Sequence, residues 1–145
     1  MPPALPFLEF SVVWSDEDIQ EIAVSASSGR FSAQVNVYGD VHELTRVAER
    51  LQGFPSSKTD FREVELGQEG LSGYGTVQIK VFCTDSTGHI AFEVSLRSFP
   101  AKELAKQESA VVVVPAAVAD LDRLVEHLRA TNYQEGATAV LRSAA

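Results

Sequence analysis

One cysteine, Cys83, in 145 residues leaves no partner for an internal disulfide. The three histidines, His42, His89 and His127, stand far apart, without the i+3 or i+4 spacing that places two ligands on one helix face. No cysteine pair exists to complete a zinc set, so neither metal nor other cofactor is expected. Positive charge is scarce, with twelve Lys and Arg against twenty Asp and Glu, a formal net charge of -8. Phosphate neutralisation by Lys and Arg supplies most of the affinity for nucleic acid, and Arg30, Lys58, Arg62, Lys80 and Arg97 are scattered among acidic neighbours. Nucleic acid and anionic membrane are therefore poor first partners, whereas a basic protein surface or a cationic small molecule would be drawn to such a field. No run approaches the roughly 20 apolar residues that span a bilayer. Residues Met1 to Phe10, interrupted by three prolines and Glu9, lack the positive start of a secretory signal, and the expected compartment is the cytoplasm.

Catalytic signatures are missing too. Asp85, His89 and one of many serines could be drawn as a triad, but no Gly-x-Ser-x-Gly elbow presents a nucleophile. The glycines Gly67, Gly70, Gly73 and Gly75 run into a strand pattern without the Lys and helix start of a phosphate loop. Asp16, Glu17 and Asp18 lack the alternating oxygens and glycine bend of a calcium loop and read as a charged turn. Cys83 has no evident base and alternates with Val77, Ile79 and Val81, a place for a small buried hydrophobe. No catalytic residue is assigned.

What the chain does have is a globular composition, 45% hydrophobic and 22% charged, over a length suited to one domain spanning 1–145. Alternation marks a first strand at Leu8, Phe10, Val12 and Trp14. A hairpin follows, of Ile22, Val24 and Ala26 with Phe31, Ala33, Val35 and Val37 around the Ser27-Ser28-Gly29-Arg30 turn. The period then changes. Val41, Leu44, Val47, Ala48 and Leu51 form a helical stripe from Asp40 to Gln52, with Asp40 and Glu43 at capping-box spacing, Gly53 as the stop and Pro55 beyond it. A fourth strand, Asp60 to Leu66, sets Arg62, Val64 and Leu66 against Phe61, Glu63 and Glu65, and its alternation does not choose which set is inward.

The clearest hairpin pairs Val77, Ile79, Val81 and Cys83 with Ile90, Phe92, Val94 and Leu96 through Asp85-Ser86-Thr87-Gly88. Ala101 to Gln107 could form a helical turn or two, and the continuous run Val111 to Val114 reads as a buried strand. Pro115 suits the first position of a second helix carrying Val118, Leu121, Leu124, Val125 and Leu128 to about Asn132; Tyr133 to Ala145 show no strong pattern and are expected to fray. No internal repeat stands out. The reading is an α+β domain of order βββ-α-ββββ-α, one twisted antiparallel sheet of about seven strands with both helices on one face. The opposite, polar face would present Gln34, Asn36, Gln78, Lys80, Phe82, Glu93 and Arg97, taken as the candidate partner-binding residues.

The helix end Leu51-Gln52-Gly53-Phe54-Pro55, the strand Asp60-Phe61-Arg62-Glu63-Val64-Glu65-Leu66-Gly67 and the turn Asp85-Ser86-Thr87-Gly88-His89 resemble small bacterial proteins grouped with WapI-like immunity proteins. That resemblance implies a single acidic domain that binds and neutralises a partner toxin, with no catalytic residue to carry over. Two functions are thus in view. The first is a protein-interaction module, an immunity-type inhibitor with a basic protein partner. The second is a small-ligand binding domain or enzyme with a pocket between sheet and helices, lined by Trp14, Phe31, Phe82 or Phe92.

Overall fold

Alternating apolar residues build eight strands and two helices in the computed structural model, which describes residues 5–67, 75–99, 107–131 and 134–143. Strands β1 (Phe7–Ser15), β2 (Ile19–Ser27) and β3 (Ser32–Asp40) form an antiparallel meander, followed by helix α1 (Glu43–Leu51) and strand β4 (Phe61–Leu66). A second meander, β5 (Gly75–Cys83), β6 (His89–Ser98) and β7 (Glu108–Ala117), is followed by helix α2 (Val118–Ala130) and strand β8 (Thr138–Arg142). The chain is α+β and its sheets are antiparallel, but the expected single sheet is two sheets, ordered β3-β2-β1-β8 and β4-β5-β6-β7. Alternation tells which side of a strand is buried, not which strand lies beside it. Here β4 leaves the first meander to pair with β5, and β8 returns to pair with β1.

The apolar faces of both sheets join the helices in one core, in which Phe10, Ile22, Leu44, Ile79, Phe92 and Leu121 are fully buried. The two helices, expected on one face of that single sheet, pack against each other and along the outer strands β4 and β8. Strand β3 crosses close to the start of β5. A side chain at Gly75 would put its Cβ 2.9 Å from the Asn36 carbonyl oxygen and 3.0 Å from Val35 Cβ, so glycine is what permits this approach.

Five local expectations are corrected. Helix α1 begins at Glu43, not Asp40, because Asp40 closes β3 and spends its carboxylate on the His42 N–H (2.8 Å) and Arg46 (2.8 Å). Pro115 lies inside β7, and α2 starts at Val118, where Asp120 Oδ2 accepts the Ala117 N–H at 2.9 Å. The run Val111–Val114 is not buried throughout, since Val112 and Val114 face the core while Val111 and Val113 are exposed. Residues expected to fray include β8, held by Leu141 opposite Leu8 and Ala139 opposite Phe10. Trp14 turns outward because a bulge between Val12 and Trp14 shifts the register. The helical turn expected at Ala101 to Gln107 and the glycines Gly70 and Gly73 lie outside the described residues, apart from Gln107 itself. Gly53 ends α1 with φ of 78°, as expected.

The absence of an internal repeat is also corrected. Each half of the chain runs βββαβ, and each half's last strand completes the other half's sheet. Leu44-Thr45-Arg46-Val47-Ala48-Glu49-Arg50-Leu51 matches Leu121-Asp122-Arg123-Leu124-Val125-Glu126-His127-Leu128 at a separation of 77 residues, with Leu, Arg, Glu and Leu identical. At the same separation the inward residues of β3, Ala33, Val35 and Val37, match Ala110, Val112 and Val114 of β7. Gln52 and Arg129 are equivalent under this relation and hydrogen-bond to each other, which places the pseudo-twofold axis between them.

Candidate interaction surface

In the second sheet the inward residues are apolar apart from Arg62 on β4 and the strand-end pair Ser98 and Glu108, so their neighbours are turned outward and line up across the four strands. Register puts Phe61, Phe82, Ala91 and Pro115 in one row, Glu63, Lys80, Glu93 and Val113 in the next, and Glu65, Gln78, Ser95 and Val111 in the third. Thr76, Arg97 and Ser109 follow. Val64 and Leu66 point to the core, which settles the face that alternation in β4 left open.

Five of the seven candidate partner-binding residues, Gln78, Lys80, Phe82, Glu93 and Arg97, share this outer face. Gln34 and Asn36 do not; they lie on the outer face of the first sheet, bonded to Ser25 Oγ (3.0 Å) and Glu21 Oε2 (2.8 Å). The surface read as one is two, for the same reason that one sheet became two. Phe61, 63% exposed, stands opposite Phe82 and was the part of the surface that sequence reasoning left unassigned. Lys80 Nζ lies 3.9 Å from Glu63 Oε1, a loose surface pair. At the far end a concavity of about 460 Å3 is lined by Glu65, Gln78, Ser95, Arg97, Ser109 and Val111.

The aromatic residues expected to line a pocket between sheet and helices do not converge. Phe92 is fully buried in the core, Phe82 faces outward from the second sheet, and Trp14 and Phe31 are exposed. Two smaller grooves flank the helices, about 430 Å3 between α1 and β4 and about 320 Å3 between α2 and β8, and they are equivalent under the repeat. Glu43–Arg46 (2.7 Å) in one matches Asp120–Arg123 (2.5 Å) in the other. Arg50 Nε meets the Glu63 carbonyl oxygen at 3.1 Å where His127 Nδ1 meets that of Val140 at 3.3 Å. Both sets of contacts cover the outer edge of a terminal strand, a structural task.

The remaining polar constellations are turns. Asp16 Oδ1 accepts the N–H groups of Asp18 and Ile19, each at 2.8 Å, and these bonds hold its pKa below the usual value. Asp85 accepts the Thr87 N–H (2.8 Å) and lies 2.5 Å from His89 Nδ1; the Thr87 N–H, then His89, hold its carboxyl far below the ordinary range. Among the described residues no serine hydrogen-bonds to His89, and no group of three His, Cys, Asp or Glu could hold a metal ion. Cys83 is half-buried, not buried, with Sγ 4.0 Å from the Ser57 carbonyl oxygen. No helix of the described residues is long and apolar enough to cross a membrane. Comparison of the chain with family models, curated proteins and solved structures finds no match.

Proposed function

We propose that this chain is a non-catalytic protein-interaction module, of the immunity-inhibitor kind, that binds its partner through the outer face of the second sheet. The observation carrying this reading is the apolar row Phe61, Phe82, Ala91 and Pro115, laid beside Glu63, Lys80 and Glu93. An exposed aromatic with charged neighbours is the composition of an interface centre. Three glutamates, Glu63, Glu65 and Glu93, against Lys80 and Arg97 on that face, with a net charge of -8 overall, favour a basic protein partner such as a cationic toxin.

The test is capture of the partner from the source cell with tagged protein, followed by affinity measurement on the purified pair. Phe82→Ala should weaken binding by about tenfold or more at unchanged melting temperature. Gln34→Ala on the first sheet and Glu49→Ala on α1 should bind normally, and association should slow as salt rises. Normal binding by Phe82→Ala with loss in either control would move the surface elsewhere.

A further inference from the structure

The internal repeat supplies a control for every position, because two equivalent strands must satisfy the same fold. On β3 and β7 the inward residues are identical, Ala33, Val35 and Val37 against Ala110, Val112 and Val114. The outward ones agree only at Ser32 and Ser109. Where β3 carries Gln34 and Asn36, β7 carries Val111 and Val113, 63% and 46% exposed. The scaffold therefore does not require valine at these places, and an apolar pair left in water on a terminal strand calls for another occupant.

The two edges also differ in cover. β3 is the edge of its sheet but leans on the start of β5 at Gly75, whereas β7 makes at most marginal contact with β1. Among the described residues the backbone of β7 pairs with β6 alone. The Val118 N–H donates to the Gly88 carbonyl at 3.1 Å, which fixes the alternation. Even-numbered residues of β7 bond to β6, and the N–H and C=O groups of Ser109, Val111 and Val113 face the free edge. Pro115, the next edge-facing position, has no N–H, which costs β6 no bond.

We propose that this edge pairs with the same edge of a second copy of the chain, antiparallel about Val112, forming a twofold dimer with one continuous sheet of eight strands. In that register Val111 lies opposite Val113 of the second copy and Val113 opposite its Val111, so four valines cover one another on the outer face. Ser109 lies opposite Pro115 of the second copy and donates its N–H to that residue's carbonyl, while Pro115, having no N–H, leaves the Ser109 carbonyl to solvent. Every edge donor is used, and no like charges stand opposite each other at the seam, so the net charge of -8 on each chain opposes pairing only at long range. This inference is independent of the proposed partner, and its salt dependence is opposite, because screening like charges strengthens self-association.

Sedimentation equilibrium of the full chain, from micromolar to submillimolar concentration, reads the outcome. The wild type should dimerise in this range, more tightly at higher salt. The double variant Val111→Gln, Val113→Asn carries the residues with which β3 already folds; it should be monomeric throughout, with unchanged circular dichroism. Val113→Pro provides a second route, since it removes an edge N–H without touching a bond to β6, and it should also be monomeric. A monomeric wild type at the highest concentration, or folded variants that dimerise as the wild type does, would overturn the proposal.

Discussion

Asp85 shows how much a single side chain can commit to a turn. Its Oδ1 accepts the Thr87 N–H and hydroxyl at 2.8 and 2.9 Å, and the Thr87 N–H, followed by His89, lowers its pKa from the ordinary 3.8. Asp40, beside Arg46, and Asp60, bonded by the Ser56 N–H, are lowered for similar reasons. A carboxylate with a depressed folded pKa stabilises the fold above its unfolded pKa, and that stability is lost as pH falls through the folded value. Glu43 has the opposite sign. Burial raises its pKa above 4.5, so its contribution is full below the unfolded value and lost as pH rises through the folded one. Melting temperature should therefore drop as pH falls below about 4, and Asp85→Asn should flatten that acid limb, measured by thermal melts at stepped pH. An unchanged limb in the variant would show that the turn does not depend on the carboxylate. This turn was legible because Asp and Gly at its ends dictate its geometry, Gly88 having φ of 92°. Trp14 and Phe31 were not. Trp14 is turned by a bulge that no residue type announces, and Phe31 is held in a turn by its N–H bond to Ser28 Oγ (3.1 Å) and its carbonyl bond to the Ser28 N–H (2.9 Å).

Among the elements, the two helices are a matched pair whose apolar stripes were legible residue by residue. Leu44, Val47, Ala48 and Leu51 are buried in α1, as are Leu121, Leu124, Val125 and Leu128 in α2, and the helices pack together around the pseudo-twofold axis. Leu44 and Leu121 are equivalent, 1% and 0% exposed. Leu44→Ala and Leu121→Ala should each destabilise by about 2–5 kcal/mol, through lost burial and the cavity left behind, and by similar amounts. Chemical denaturation checks this; a negligible loss at one site alone would deny the equivalence. Helix starts were less legible. Asp40 and Glu43 have capping-box spacing, yet both turn to Arg46, because a well-placed guanidinium competes for the same oxygens. Pro115 fits a helix start and an edge strand equally well by its missing N–H, and only the pairing with β6 decides between them. β8 escaped notice because two inward residues, Ala139 and Leu141, are too few to establish a period.

At the scale of the molecule, both helices and every strand but β8 were readable while the sheets they join were not, because pairing between distant strands leaves no local mark. The candidate surface inherited that limit, with Gln34 and Asn36 assigned to the face that carries Phe82 when only parity, not sheet membership, was legible. The repeat was present in the sequence as the two Leu-x-Arg octets, hidden by the divergence of most outward-facing residues, Arg46/Arg123, Glu49/Glu126 and Ser32/Ser109 excepted. Its topology carries a consequence that can be checked. The last strand of each half crosses to the other sheet, so the junction from β8 back to β1 is the counterpart of the connection from β4 to β5. The Ser143 N–H donates to the Pro6 carbonyl at 3.0 Å, so a short linker can join these two positions. A circular permutant made by that linker and opened between β4 and β5, within residues 68–74, would run β5-β6-β7-α2-β8-β1-β2-β3-α1-β4. Every strand keeps its neighbours and the two halves merely exchange order, so no core contact is broken. The permutant should fold with the wild-type circular dichroism spectrum and melt within about 10 °C of it, the scale of a few kcal/mol for a chain of this length. A permutant opened between Ala117 and Val118 breaks the Val118 N–H bond to Gly88 and separates Ala117 from the Asp120 carboxylate that holds its N–H, and it should melt well below the first. If the two permutants were equally damaged, the β4–β5 connection would be no more a boundary than any other point, and the chain would not be the pair of exchanged halves that its topology describes.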